Sequence, residues 1–371
     1  MARTIVGVND PKAVKKWSGA LTYDTSTKSY FGSKFMGKGP DAETPIHVMT
    51  DLASDAGDAV SYDLVMELRM APVEGEDELE GKEERQKFYT DKVLIDQARC
   101  GVNTGGKMTR KRTLHNLRAV ARRQQSSWWA RFHDEMLFCY LSGQRGINET
   151  FLLPMSWAGR AGNALQAPDT AHHLFGGNAT ALGNIDTGDK FDLAAVDRCV
   201  VKADTQGGGA TDIPMMQPCM IDGESRYVLV MHPFQEQDLR SNTSTGQWLD
   251  IQKAAAGAEG RNSKLFKNSL GMYRDVIMHK HRNVTRMMGG AGSAVECARA
   301  LFLGCQAGVV AYGSPGTNMR FDWHEETRDN GDKVVITTSS ILGAKKTGYE
   351  IEGATQDFGV IAIDTAAAAI N

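Results

Sequence analysis

His279 and His281 stand two residues apart in a stretch, Gly271–Val284, that reads as extended chain. There Val276, Met278 and Lys280 alternate against Ile277, His279 and His281. Period two puts both imidazoles on one face of a strand, an arrangement that can seed a metal site. Such a site needs a third and a fourth ligand, and the sequence names none, so a satisfied structural pair is the better reading. His172-His173 are consecutive in a polar loop and cannot easily aim both rings at one ion. Gly207-Gly208-Gly209 is followed by Ala-Thr-Asp and lacks the lysine that a phosphate loop needs, so it reads as a flexible hinge. The chain has no GxSxG, no HExxH, no Walker GxxxxGK[ST] and no GxGxxG opening a helix after a strand. With 45 Asp and Glu, carboxylate pairs will occur somewhere and identify nothing. The residues that could do chemistry do not assemble into an active site, and no catalytic, metal or cofactor-binding residue is expected.

Charge is the more informative pattern. Glu74, Glu76, Asp77, Glu78, Glu80, Glu83 and Glu84 form an acidic run relieved only by Lys82. Further on, Lys107, Arg110, Lys111, Arg112, Arg118, Arg122 and Arg123 form a basic run with no carboxylate among them. Opposite charges on two separate elements suit a subunit that binds copies of itself, because unlike charges steer and like charges reject wrong registers. The plain alternative is two solvated faces that differ in sign. The cations could also neutralise phosphates, which would make 107–123 a nucleic-acid-binding helix. Arg110, Lys111 and Arg112 are consecutive, however, and so point in different directions around a helix rather than along one stripe.

Composition sets the limits. The chain has 371 residues, 41% hydrophobic, enough for a sizeable core and two or three structural lobes. A formal net charge of −3 argues against a dedicated nucleic-acid binder. No run approaches the ~18 consecutive apolar residues of a membrane span, so no membrane partner is expected. The N-terminus has no apolar segment of the secretory type. Six cysteines lie scattered without a CxxC pair, which reads as reduced thiols in a cytosol-like compartment.

The elements that would position the charges are as follows. Residues 1–50 show no sustained periodicity but carry Trp17, Tyr23, Tyr30, Phe31 and Phe35, which reads as an extended arm anchored elsewhere. Ser61–Met70 alternates, with Tyr62, Leu64, Met66, Leu68 and Met70 on one side, and Phe88–Ile95 is a second strand. Residues 60–105 thus read as a two-stranded ribbon with an acidic tip. Lys107–Ser142 contains no Gly or Pro and reads as a single helical strut of ~54 Å, basic first and aromatic later. Residues 144–185 read as loop, Phe191–Ala203 and Gln247–Ala258 as helices, Arg226–Met231 as a buried strand, and Ala294–Val310 as an apolar, small-residue-rich stretch. Strands are expected at Met319–Trp323, Lys333–Thr338, Tyr349–Ile351 and Phe358–Thr365. The chain is therefore α+β.

Ten phrases then match a known family in register. They run from KKWSGAL at 15–21, KFMGKG at 34–39 and TDLASDAGDAVSYDLVMEL at 50–68 through GEDELEGKEE at 75–84, VLIDQAR at 93–99 and LSGQRG at 141–146. RYVLVMHPFQEQDLR at 226–240, the NSLGMYRDVIMHKHRNV block at 268–284, LFLGCQAG at 301–308, and SILGAKKTGYE with DFGVIAIDTAA at 340–367 complete the series. The chain resembles the major capsid protein family of podoviruses like coliphage N-four, whose subunits have the Hong Kong ninety-seven type fold.

The resemblance implies an N-terminal arm at 1–59, an extended loop at 60–105 and a peripheral domain at 106–205 with a spine helix at 107–142. It implies an axial domain at 206–320 and return strands at 321–371 that complete the peripheral domain. The implied function is self-assembly, as hexamers and pentamers, into an icosahedral shell around double-stranded DNA. The implied partners are a scaffolding protein, a portal protein at one vertex, a decoration or cement protein and the packaged DNA, with assembly in the bacterial cytoplasm and residence in the virion. In this fold the extended loop lies across a neighbouring subunit. The expected inter-subunit contacts are therefore Glu76, Asp77, Glu78, Glu80, Glu83 and Glu84 of one copy with Arg110, Lys111, Arg112, Arg118, Arg122 and Arg123 of another.

Overall fold

The computed structural model describes residues 11–38, 43–53, 57–66, 68, 70–113, 115–205, 215–221, 223–242, 269–314 and 320–368. The Gly207–Gly209 segment and the expected 247–258 helix lie outside them.

Two sheets share one long helix. The first, six-stranded, is built around the 14-residue strand Lys333–Lys346. That strand pairs antiparallel with Asp322–Arg328, with Gly308–Gly313 and with Asp96–Asn103. Ile46–Met49 and Met36–Lys38 extend the sheet in parallel. The second sheet has eight strands, in the path Ser269–Tyr273, Val276–Lys280, Glu224–Met231, Val295–Leu303, Val360–Ala366 and His173–Phe175. Its central strands are near-continuous apolar runs because both faces are covered. Val228, Val230, Ile277, Leu301 and Leu303 face one core, while Tyr227, Leu229, Met231, Met278 and Phe302 face the other.

Six helices are described: α1 (Pro11–Lys28), α2 (Tyr30–Lys34), α3 (Lys107–Arg112), α4 (Leu117–Ser142), α5 (Leu193–Thr205) and α6 (Pro233–Ser241). α4 has 26 residues and spans ~39 Å. Asn116 caps its start by accepting a hydrogen bond from the Ala119 N–H, and Gly143 ends it in the left-handed region at φ 74°. From Trp129 onward all but the half-buried Arg131 are buried, whereas the first turns are largely open. Trp128 stacks on Phe132 at 5.3 Å, and Trp129 Nε1 donates to the Thr338 hydroxyl at 2.9 Å, which seats the helix on the six-stranded sheet.

The strut is therefore not one helix over 107–142. The chain leaves the helical region at Thr113 and again at Asn116, both with β-region dihedrals. Tertiary anchoring overrides propensity here: Lys107 N–H donates to the Asp332 carboxylate at 3.0 Å and Arg110 to the Asp332 carbonyl at 2.7 Å. The N-terminal region differs too. Residues 11–28 form α1 rather than extended chain, with Ser18, Leu21 and Thr25 turned inward. Among the described side chains of α1, Leu21 is the one large apolar group that is buried. α1 is held on α4 by Arg122–Asp24 at 3.3 Å and by Lys28 Nζ donating to the Arg123 carbonyl at 3.4 Å.

The ribbon consists of Ala59–Val65 and Phe88–Leu94, antiparallel, with Val65 opposite Phe88 and Ala59 opposite Leu94. It is shorter than the 60–105 expected, because Asp96–Asn103 pairs with Val335–Leu342 in the six-stranded sheet and gains a full ladder there. Tyr62, Leu64 and Tyr89 pack on the Tyr349, Ile351 and Phe358 cluster, but Leu68 and Met70 lie beyond the strand and are exposed.

The expected boundary at 320/321 also shifts. Gly308–Gly313 already belongs to the six-stranded sheet, and Val360–Ala366 returns to the eight-stranded one, between Val295–Leu303 and His173–Phe175. The link of 304–307 is short enough to carry the chain directly from one sheet into the other.

Candidate inter-subunit surfaces

The acidic run sits where the ribbon ends. Glu74, Glu76, Asp77, Glu78, Glu80, Glu83 and Glu84 are all exposed, and the turn is shaped by its own carboxylates. Met70 N–H donates to Glu84 and Gly81 N–H to Glu83, each at 2.7 Å, while Lys82 lies 3.7 Å from Asp77. Lys82 N–H donates to the Leu79 carbonyl at 3.0 Å, closing a turn that presents Leu79, 50% exposed, between Glu78 and Glu80. The ribbon's distal end is also apolar on its open side, with Val65, Phe88, Leu68 and Met70 exposed.

The base of the ribbon is fixed tightly. Asn163 accepts from Leu94 N–H at 3.0 Å and donates to the Leu94 carbonyl at 2.8 Å. That carbonyl lies over Gly343 so closely that a Cβ there would meet it at 1.9 Å. Asp91 accepts from Tyr62 Oη at 2.7 Å and from Lys345 Nζ at 2.5 Å. The tip is thus a loosely bonded turn on a rigid mount.

The six cations named from the sequence divide into two groups. Arg118 is paired with Glu325, Arg122 with Asp24, and Arg110 with the Asp332 carbonyl, all within the chain. Lys111, Arg112 and Arg123 are exposed and carry no ionic partner among the described residues. So only half of the basic set is open to an outside carboxylate in full.

What the sequence missed is the cleft made by the helix break. It has a volume of about 380 Å³ and is lined by Arg110, His115, Leu117, Arg118, Val334 and Ile336, with Thr104 and Asn116 at its sides. No pattern in the sequence marks His115 or joins it to Val334 and Ile336, because the break that gathers them is imposed by tertiary contacts.

The histidine pairs are structural in their surroundings. Tyr30 lies 4.5 Å from the ring of His281 and 6.2 Å from that of His279, and Phe138 stacks on His281 at 5.0 Å. Burial, with the nearby charges of Arg282 and Lys34, pushes His281 down to about 4. His172 turns to Asp169 at 2.8 Å and His173 to Asp364 at 2.7 Å, so the two rings serve different carboxylates. No group of three or more His, Cys, Asp or Glu is placed to hold a metal among the described residues.

A buried carboxylate latches the N-terminal segment. Asp134 on α4 accepts hydrogen bonds from Ser29 Oγ at 2.7 Å, Tyr30 N–H at 2.9 Å and Phe31 N–H at 3.2 Å. Burial outweighs these bonds and, with the adjacent Glu135 charge, pushes Asp134 up to about 6.

Comparison with known proteins gives this geometry a context. A family described as phage capsid protein matches residues 5–369. The chain is 25% identical over 357 residues to a major capsid protein of Pseudomonas phage KPP25, covering 89% of each. The capsid of Ralstonia phage GP4 is 47% identical and superposes with a TM-score of 0.85 over 100% of both chains. The capsid of cyanophage Pam1, 20% identical, shares the fold with a TM-score of 0.68 over 90% of this chain and 91% of its own. The α+β architecture is thus the Hong Kong ninety-seven type, and the chain belongs to the phage capsid protein family: it is a major capsid protein, a subunit of a tailed-phage virion shell.

Proposed function

We propose that this subunit closes its shell by laying the distal ribbon over the basic helices of a neighbouring copy. The observation that carries this reading is the contrast within the ribbon. Its base is clamped by Asn163, Gly343 and Lys345, while its tip exposes seven carboxylates and a set of apolar side chains that its own chain leaves uncovered. A rigid mount with an open end is suited to a partner, and in a closed homomeric shell the partner is the same chain. The neighbour's open cations Lys111, Arg112 and Arg123 supply the complementary charge.

In this reading the six-stranded sheet with α4 is the peripheral lobe and the eight-stranded sheet the axial one. The segment before Ala59 acts as the arm, although α1 and α2 dock it on α4 of its own chain. Hexamers and pentamers form the shell around double-stranded DNA, with a scaffolding protein during assembly, a portal protein at one vertex, and a decoration or cement protein as a further partner. Assembly takes place in the bacterial cytoplasm.

The nucleic-acid reading of 107–123 is less well supported, since Arg110, Arg118 and Arg122 are already engaged inside the chain. The test is assembly of the full chain, with scaffold if required, carrying Glu76, Asp77, Glu78 and Glu80 each changed to Ser. Fewer closed particles and a flattened salt dependence are expected in electron microscopy and sedimentation. Unchanged capsomer geometry and salt response would refute the docking.

A further inference from the structure

The cleft between α3 and α4 combines an apolar floor with donors at its rim. Leu117, Val334 and Ile336 form the apolar part, and Arg110, His115 and Arg118 supply nitrogen. None of the described lining residues is acidic, and Arg118 is paired with Glu325 behind the rim. Arg110 spends one guanidinium nitrogen on the Asp332 carbonyl, but its Nε is buried and finds no acceptor among the described residues. The N-terminus of α4 begins at the same place and carries partial positive charge, with the Ala119 N–H already capped by Asn116. Such a site fits an apolar side chain flanked by carboxylates better than a phosphate, which would leave the apolar floor unfilled.

Among the described residues, an exposed segment of that chemistry lies at the ribbon tip: Glu78-Leu79-Glu80, with Leu79 held outward by the turn that Lys82 N–H closes. No tip residue lines the cleft of its own chain. We propose that this cleft is the receptor for the ribbon tip of a second copy. Leu79 seats on Leu117, Val334 and Ile336, and Glu78 and Glu80 meet the Arg110 guanidinium, His115 and the positive N-terminal end of α4. This deepens the docking reading above and rests on it, replacing a diffuse charged contact with an apolar anchor whose register the carboxylates set. It also gives the helix break a use, since a continuous 107–142 helix would have no such cleft.

The test is a pair of engineered cysteines in the full chain, Leu79→Cys with His115→Cys, assembled and then oxidised. The expected result is a ladder of covalent oligomers on a non-reducing gel. It should be absent from unassembled protein, from either single variant, and from Leu79→Cys with Arg123→Cys. Particles that give no ladder, or a ladder only with Arg123→Cys, would overturn the cleft while leaving loop docking intact. Failure of the wild-type chain with scaffold to form particles would instead count against the docking reading. Where the paired variant forms none, hydrogen exchange on wild-type particles decides: assembly should slow exchange at both 77–81 and 115–120, and unchanged exchange at either stretch overturns the proposal.

Discussion

Arg299 and Asp364 face each other across neighbouring strands and join in a two-pronged ion pair, Nε to Oδ1 at 2.7 Å and Nη2 to Oδ2 at 2.6 Å. The side chains are 6% and 0% exposed. The other guanidinium nitrogen donates to the Ser142 carbonyl at 2.7 Å, the last residue of α4, and His173 adds a bond to the same carboxylate. One pair thus ties the C-terminal end of α4 to the eight-stranded sheet. A buried pair stabilises little over an apolar one, but breaking it strands a charge. We expect Arg299→Met alone to cost about 3–5 kcal/mol. The double variant Arg299→Met/Asp364→Leu should recover most of that loss, as read by denaturant unfolding of unassembled protein.

The same pair sets an acid limit. Burial by itself would raise Asp364, but the Arg299 charge and the hydrogen bonds from Arg299 and His173 hold its carboxyl below the usual range. A depressed folded value means stability that is present above the unfolded pKa and lost as pH falls through the folded one. The wild-type chain should therefore lose stability below about pH 4, and the Arg299→Met/Asp364→Leu variant should lose less.

Asp134 behaves in the opposite sense. Its folded value near 6 lies above the unfolded one, so its contribution is complete in acid and declines as pH rises through about 6. A rise of about two units corresponds to a differential on the order of 3 kcal/mol. Asp134→Asn removes the titration and one acceptor for the 29–31 amides and hydroxyl. Relative to this variant, the wild type should lose stability between pH 4 and 7; parallel curves would show that Asp134 does not titrate there. The readout that separates the latch from general stability is protease sensitivity of residues 11–35, which should rise in the variant.

The ribbon's angle should depend on two residues far from its tip. Asn163→Ala removes both bonds to Leu94, and Gly343→Ala forces a Cβ into the Leu94 carbonyl. Each backbone hydrogen bond lost in a half-buried site costs about 1 kcal/mol. We expect modest destabilisation from Asn163→Ala, a larger loss from Gly343→Ala because backbone must shift, and in the first variant a disproportionate loss of closed particles, with open sheets or aberrant shells by electron microscopy.

These residues show what could and could not be read from the chain. Tyr62 and Leu64 revealed the ribbon because one face of it packs on Tyr349 and Phe358, which imposes strict alternation. The run without Gly or Pro and its later aromatics revealed α4, whose second half is buried through Trp129 and Phe132. α1 stayed hidden, since its described inward side chains, Ser18, Leu21 and Thr25, mix polar with apolar groups. The helix break stayed hidden because the Asp332 contacts that hold α3 come from a turn more than 200 residues away. Charge runs could be seen, but their partners could not: Glu325 and Asp24, which claim Arg118 and Arg122, lie in distant, unrelated segments.

That division yields a final prediction, because the two groups of cations should fail in different ways when reversed. Lys111→Glu, Arg112→Glu and Arg123→Glu leave every intramolecular ion pair among the described residues untouched, so the unassembled subunit should unfold at an unchanged denaturant midpoint. Assembly should suffer, and restoring charge complementarity with Glu76→Lys and Asp77→Lys, which leaves Glu78 and Glu80 in place, should recover particles in part. Arg118→Glu places a second carboxylate against the nearly buried Glu325, which also accepts from Trp323 Nε1 at 2.9 Å, and should destabilise the subunit itself. If both groups lowered subunit stability equally and neither responded to the tip reversal, the basic helices would be a solvated face with a structural role only, and the contact between copies would have to be sought elsewhere on the ribbon.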